Sequence, residues 1–208
     1  PHIIEKGEGI YVFDESGKKF IEGMSGLWCT SLGFSEKELV QTAKEQLEKL
    51  PFYHTFAGKT ANPAIDLAEI LIKSSPVPMN KVYFANSGSE ANDTAIKFIW
   101  YYNHSLGKPQ KRKIISRKKG YHGVTIASGS MTALPYAQNG FGLPLDFVFH
   151  TMTPDYFNER IEGEDEEQFS ERCAKELEKL IIKENPDTIA GFFAEPVMGA
   201  GGVIIPPK

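Results

Sequence analysis

A chain of 208 residues with 41% hydrophobic content can bury a sizeable core and has the bulk of one domain or slightly more. Its net charge of −4 argues against a nucleic-acid partner, and no apolar stretch reaches membrane-spanning length. Cys29 and Cys173 stand far apart and unaccompanied, which suits an intracellular protein, cytoplasmic or organellar, with two free thiols rather than a disulfide scaffold.

The five histidines form no H-x-x-x-H pair and no Cys/His ligand spacing, so no metal site is expected, and the serine-hydrolase signal G-x-S-x-G is absent. The basic run KRKIISRKK is broken by Ile114 and Ile115 as a strand with solvated ends would be. No signal or transit sequence is visible, although a chain that starts at Pro1 without methionine leaves a removed presequence open.

Taken in chain order, GIYVFDESGKKFIEG (9–23) predicts a hairpin turning around Glu15-Ser16-Gly17. A helix follows over 35–50 with Leu39, Ala43, Leu47 and Leu50 on one face and Pro51 at its end, then a second from about Asn62 to Lys73 with Pro63 in its first turn. Beyond residue 80 strands and helices alternate: 81–85, 90–106, 112–116, 124–131, 147–150, 166–184 and 188–194. That alternation predicts an α/β layered domain with a mostly parallel sheet. The acidic segment EGEDEEQF (162–169) precedes the long helix and is expected to be a solvated surface, with its negative charge mildly favourable at a helix start.

The most informative stretch is FANSGSEANDTAIKF (84–98). KVYFA before it has the content of a short buried strand, while Ala91, Ala95, Phe98, Ile99 and Tyr102 share one helical face after it. Ser87 and Glu90 fit a capping box, and the joint read alone is no more than a well-capped helix. Gly88, however, lets a ligand approach the backbone, and Ser87 and Ser89 add hydroxyls to the free N–H groups of the helix start, an arrangement that suits a phosphate. With no Walker A loop and no G-x-G-x-x-G after a strand, that phosphate is expected to belong to something other than a nucleotide. Two further polar clusters follow predicted strands, Tyr121-His122-Gly123 and Glu195, so three lie at the rim where open α/β sheets bind ligands.

Read together, NSGSEANDTAIK, GYHGVTIASGS and AEPVMGAGGVIIPP resemble the class III (ω-) aminotransferases, fold-type I enzymes that use pyridoxal 5′-phosphate (PLP). GLWCTSLGF, PFYHTF and EPVMGAGGV look closest to the pyruvate-dependent 4-aminobutyrate (GABA) and β-alanine transaminases. The resemblance implies that residues 1–50 are an N-terminal segment of the small domain and that 51–208 begin the PLP-binding large domain, an α/β/α layer that is incomplete here. It implies that Ser87, Gly88 and Ser89 form the phosphate cup and that Tyr121 stacks on the pyridine ring. His122 and Gly123 would complete that motif, and Glu195 would bond near the cofactor or pair with a mobile arginine. Trp28 and Phe56 match aromatic positions near the substrate entrance.

Neither the Schiff-base lysine nor the carboxylate at the pyridine nitrogen has a match in this sequence. Both are expected beyond Lys208, so this segment alone is expected to be inactive and to carry no catalytic residue. The implied partners are a small amino donor and a keto-acid acceptor, with a homodimer at full length, no nucleic acid and no membrane. Two other readings stand beside transamination: another class III PLP reaction of the aminomutase type, and a truncated, non-catalytic chain that binds or assembles.

Overall fold

The computed structural model describes residues 2–207, and the chain divides into two units, Pro1–Val82 and Tyr83–Lys208. In the first unit β1 (Ile4–Glu8), β2 (Tyr11–Asp14) and β3 (Lys19–Ile21) form an antiparallel meander in sequential order. The expected hairpin is β2–β3, with Val12 opposite Phe20. The Asp14 carboxylate closes its turn by accepting from the Ser16 and Lys18 N–H groups, both at 3.0 Å, and Gly17 takes φ +79°. β1 escapes the sequence pattern because IEKGE contains a single large apolar residue.

After β3 the single turn α1 (Ser25–Trp28) winds left-handed, with φ between 49° and 66° at all four residues. Left-handed helical backbone costs about 1–2 kcal/mol per L-residue, so Ser25, Leu27 and Trp28 together hold about 3–6 kcal/mol of strain. The two predicted helices then appear as α2 (Lys37–Lys49) and α3 (Asn62–Ser74), the latter with Pro63 in its first turn. Leu39 and Leu47 on the apolar face of α2 are 57% and 59% exposed, so no described residue covers that face.

The second unit contains α4 (Gly88–Ser105), β4 (Lys113–Arg117), α5 (Ile126–Met131), α6 (Pro135–Gln138), β5 (Val148–Thr151), α7 (Tyr156–Glu159), α8 (Glu166–Lys183) and β6 (Ile189–Phe192). The strand order is β5-β4-β6, with β4 parallel to both neighbours. Parallel pairing forces long crossovers, which the helices supply. Side chains of β4 alternate between layers. Ile114 packs with Ile96 of α4, Met131 of α5 and Val148, whereas Arg117 shares a cavity with Cys173 and Leu177 of α8.

Two expectations require correction. Residues 81–85 form no strand, and Tyr83 and Phe84 are exposed, because no described strand pairs with them and a ladder needs a neighbour. On α4 the buried positions are Ile96 and Asn103, not Phe98 and Tyr102, which are exposed. The helix is apolar around much of its circumference, so sheet contact rather than periodicity selects its inner face.

The acidic segment also differs from a simple solvated surface. Asp165 and Gln168 form a reciprocal capping box on α8, and the Glu164 carboxylate takes two 2.8 Å bonds from the Arg172 guanidinium. Those bonds, helped by the Ile161 N–H and by the ion-pair attraction, hold the Glu164 pKa down to about 2 from its ordinary 4.5. A depressed folded-state pKa gives stabilisation that is present above pH 4.5 and is lost as pH falls toward about 2. Glu164→Gln should therefore flatten the stability–pH curve across that window. Denaturant melts at stepped pH check it, and parallel curves for wild type and variant would count against the pair.

Candidate functional site

The first turn of α4 sets the geometry. Ser87 is its extended N-cap, and the Ser87 Oγ accepts from the Glu90 N–H at 3.2 Å. Glu90 reaches back one residue further than a strict capping box, accepting from the Asn86 N–H at 2.9 Å. The Gly88 and Ser89 N–H groups, the first two of the helix, have no intrahelical acceptor. A Cβ on Gly88 would meet nothing within 4 Å, so the space before this turn is open.

Ser89 joins this turn to the loop after β4, its Oγ accepting from the Val124 N–H at 3.0 Å. The approach is close: a Cβ on Gly123, whose φ is +131°, would fall 2.5 Å from the Ser89 and Ser128 hydroxyls. Two neighbours strengthen the seam. Asn92 Nδ2 donates to the His122 carbonyl at 2.6 Å, and the Asp93 carboxylate accepts from the Ser128 N–H at 2.9 Å. Beneath the loop, the fully buried Thr132 hydroxyl accepts from the His122 and Gly123 N–H groups at 2.8 and 3.2 Å and donates to the Gly123 carbonyl at 2.9 Å.

Glu195, three residues beyond β6, ties the third cluster to the second: its carboxylate accepts from the Tyr121 N–H at 2.9 Å. Its carbonyl accepts from the Arg117 guanidinium at 3.1 Å. The Tyr121 side chain remains 40% exposed, with a ring face available for stacking. The His122 ring is buried against Phe193, and its Nε2 has no partner among the described residues. Burial pushes the His122 pKa down, with the Glu195 charge opposing, so the imidazole is held neutral.

The structure thus brings together Ser87, Gly88, Ser89, Tyr121, His122 and Glu195 in one unit. Trp28 and Phe56 belong to the other unit, where they are 59% and 79% exposed. Sequence reasoning missed Asn92, Asp93 and Thr132. The polar pair Asn92-Asp93 inside a helix start was a signal, since such residues favour turns unless they bond elsewhere.

The donor set fits an anion. Each serine oxygen at the turn accepts one bond, Ser87 from Glu90 and Ser89 from Val124, and each hydroxyl keeps a proton that it can donate beside the two N–H groups without intrahelical acceptors. The family described as Aminotransferase class-III matches residues 1–208. The chain belongs to the class-III aminotransferases.

Among relatives of this class-III aminotransferase chain, the mitochondrial gamma-aminobutyrate transaminase 1 of Oryza sativa subsp. japonica is 54% identical over 209 residues, covering 100% of this chain and 40% of its own length. The ω-transaminase of Pseudomonas jessenii, solved in complex with PMP, superposes with a TM-score of 0.98 at 56% identity, covering 100% of this chain and 46% of that one. A thermostable ω-transaminase variant, changed at a tryptophan, a phenylalanine and an arginine, superposes with a TM-score of 0.98 at 55% identity and the same coverage. The class-III chain therefore spans less than half the length of these relatives, and its α/β architecture is part of a fold-type I PLP enzyme. Class-III aminotransferases use PLP, and the open first turn of α4, with two N–H groups lacking intrahelical acceptors and with the partly exposed Tyr121 on the loop it holds, fits that cofactor.

Thr132→Val, close to isosteric, would leave the His122 and Gly123 N–H groups without their acceptor. Each buried unsatisfied group costs about 1–3 kcal/mol, so with two groups orphaned denaturant unfolding of the full-length protein should show a loss of about 2–6 kcal/mol. An unchanged midpoint would mean that the Thr132 hydroxyl does not hold the loop.

Proposed function

We propose that the protein at its natural length is a PLP-dependent transaminase that moves an amino group from an ω-amino acid or amine, of the GABA or β-alanine kind, to a keto acid such as pyruvate. The observation that carries this reading is the Ser89–Val124 bond, which fixes the loop that bears Tyr121 to a helix start with two N–H groups lacking intrahelical acceptors, in a chain matched along its whole length by one family. Ser87, Gly88 and Ser89 would hold the 5′-phosphate, with the helix dipole adding about 0.3–2 kcal/mol toward an anion. Tyr121 would stack on the pyridine ring, its loop supported by the neutral His122, and Glu195 would position Tyr121 through its backbone N–H. When bound, PLP supplies the electron sink that transamination requires. No residue of this chain is assigned as the cofactor-bearing lysine or as the carboxylate at the pyridine nitrogen. A homodimer is part of the same proposal, as is an intracellular compartment; the rice relative is named as mitochondrial.

Trp28 and Phe56 are proposed to wall the substrate channel. Their sequence separation equals that of the tryptophan and phenylalanine changed in the ω-transaminase variant described as engineered for asymmetric synthesis of enantiopure bulky amines.

Ser89→Ala should weaken PLP retention by roughly ten- to a hundredfold, the equivalent of a charge-assisted bond of about 1.5–3 kcal/mol. Turnover in saturating cofactor should change less. Equilibrium dialysis against PLP together with kcat at saturation tests it; unchanged affinity with collapsed turnover would remove Ser89 from phosphate binding.

Replacing Trp28 with glycine should lower kcat/KM for 4-aminobutyrate or β-alanine and raise it for an arylalkyl amine. A pocket-wall side chain is worth roughly 1.5–3 kcal/mol. A parallel loss on both substrates with a large drop in Tm would instead make Trp28 a structural residue.

A further inference from the structure

The segment 22–34 is pinched at its base. The Glu22 N–H donates to the Ile10 carbonyl at 2.9 Å, and at the other end Gly9 and Phe34 exchange bonds of 3.0 and 2.8 Å. Both ends of the loop are therefore fastened to adjacent residues, Gly9 and Ile10, at the β1–β2 connection. The Glu22 carboxylate also accepts from the Met24 N–H at 2.7 Å, fixing the entry to the turn.

Inside this closed loop the backbone holds four successive left-handed residues, Ser25 at φ 49°, Gly26 at 60°, Leu27 at 63° and Trp28 at 66°. The turn is hydrogen-bonded rather than loose: the Trp28 N–H donates to the Met24 carbonyl at 2.8 Å, and the Cys29 and Thr30 N–H groups both reach the Ser25 carbonyl, at 2.9 and 2.8 Å. Strain of this kind persists only where the surroundings over-determine it. Packing against the described residues does not account for it, because Leu27 and Trp28 are 62% and 59% exposed to them. A turn of the opposite hand would direct the Cα–Cβ bond of Trp28 elsewhere, so what the strain provides is the direction of the indole.

We propose that the left-handed turn Ser25–Trp28 is a positioning device for the Trp28 ring and that Gly26 is its positioning residue, an inference that rests on Trp28 walling the substrate channel. Gly26 is the single residue of the turn that adopts this backbone without a Cβ penalty. It is also confined, since a Cβ there would lie 3.2 Å from the buried, unpartnered Thr30 hydroxyl. Gly26→Ala raises the cost of the left-handed turn, whereas Leu27→Gly lowers it at the adjacent position.

In the full-length enzyme, kcat/KM is measured for β-alanine and for 1-phenylethylamine in Gly26→Ala, Trp28→Gly, the double variant of the two, and Gly26→Ala with Leu27→Gly. Gly26→Ala should shift the ratio of the two values in the direction of Trp28→Gly by roughly threefold or more, a coupling typical of residues that act through one another. The shift should vanish in the Trp28→Gly background and be reversed by Leu27→Gly. An equal loss on both substrates, or a shift that persists without the indole, overturns the proposal. If Trp28→Gly itself leaves the ratio unchanged, the channel reading fails on its own. The turn is then judged by 5-fluorotryptophan labelling and 19F NMR, with the Trp28 line assigned by its absence in Trp28→Gly: a shifted or broadened Trp28 line in Gly26→Ala supports the hold on the ring, and an unchanged line overturns it.

Discussion

The hydrogen bond from the Val124 N–H to the Ser89 hydroxyl is the constraint on which the site depends. It consumes an acceptor lone pair of Ser89 and leaves the hydroxyl proton available for donation, and it brings the loop that follows β4 onto the start of α4. That approach is possible because residue 123 is glycine, as any Cβ would meet two hydroxyls at 2.5 Å. The Asn92 and Asp93 side chains repeat the link one turn along the helix. Ser89, Asn92 and Asp93 of one helix start therefore hold the loop behind it, while the Gly88 and Ser89 N–H groups keep no intrahelical acceptor in front.

The same economy of bonds explains the rest of the rim. Thr132 replaces the ladder partners that the His122 and Gly123 N–H groups lose when the chain leaves β4, so a fully buried hydroxyl stands where sheet bonding stops. Glu195 does the equivalent for the Tyr121 N–H, carrying the last strand's exit across to the middle strand's exit. His122, neutral through burial, adds bulk to the loop without adding a charge near the start of α4.

The first unit follows a different logic. Its sheet is small, its helices α2 and α3 bury no side chain among the described residues, and its order comes from turns: an aspartate closing the β2–β3 hairpin, glutamate at the entry to α1, and the Gly9–Phe34 exchange. Three strained L-residues in α1 stand out there against the little packing that the described residues provide.

Local chemistry was written in the sequence. The S-x-x-E start of α4, the proline at the head of α3, the hairpin turn at Asp14–Lys18 and the alternation that makes a parallel sheet all follow from propensities and spacings that act within a few residues. Motifs at 87–90, 121–123 and 195 were likewise legible, because small and polar residues at the ends of apolar runs have few other uses. Tertiary structure decided the inner face of α4, since its apolar residues spread over more than one side and sheet contact selects among them. It also denied 81–85 a ladder, paired Glu164 with Arg172, and recruited Asn92, Asp93 and Thr132 to a loop that lies 30 or more residues from the first two and nine or ten from the third. Those outcomes depend on which backbone N–H groups lose their neighbours when strands end, and that is a property of the assembled sheet rather than of any window of sequence.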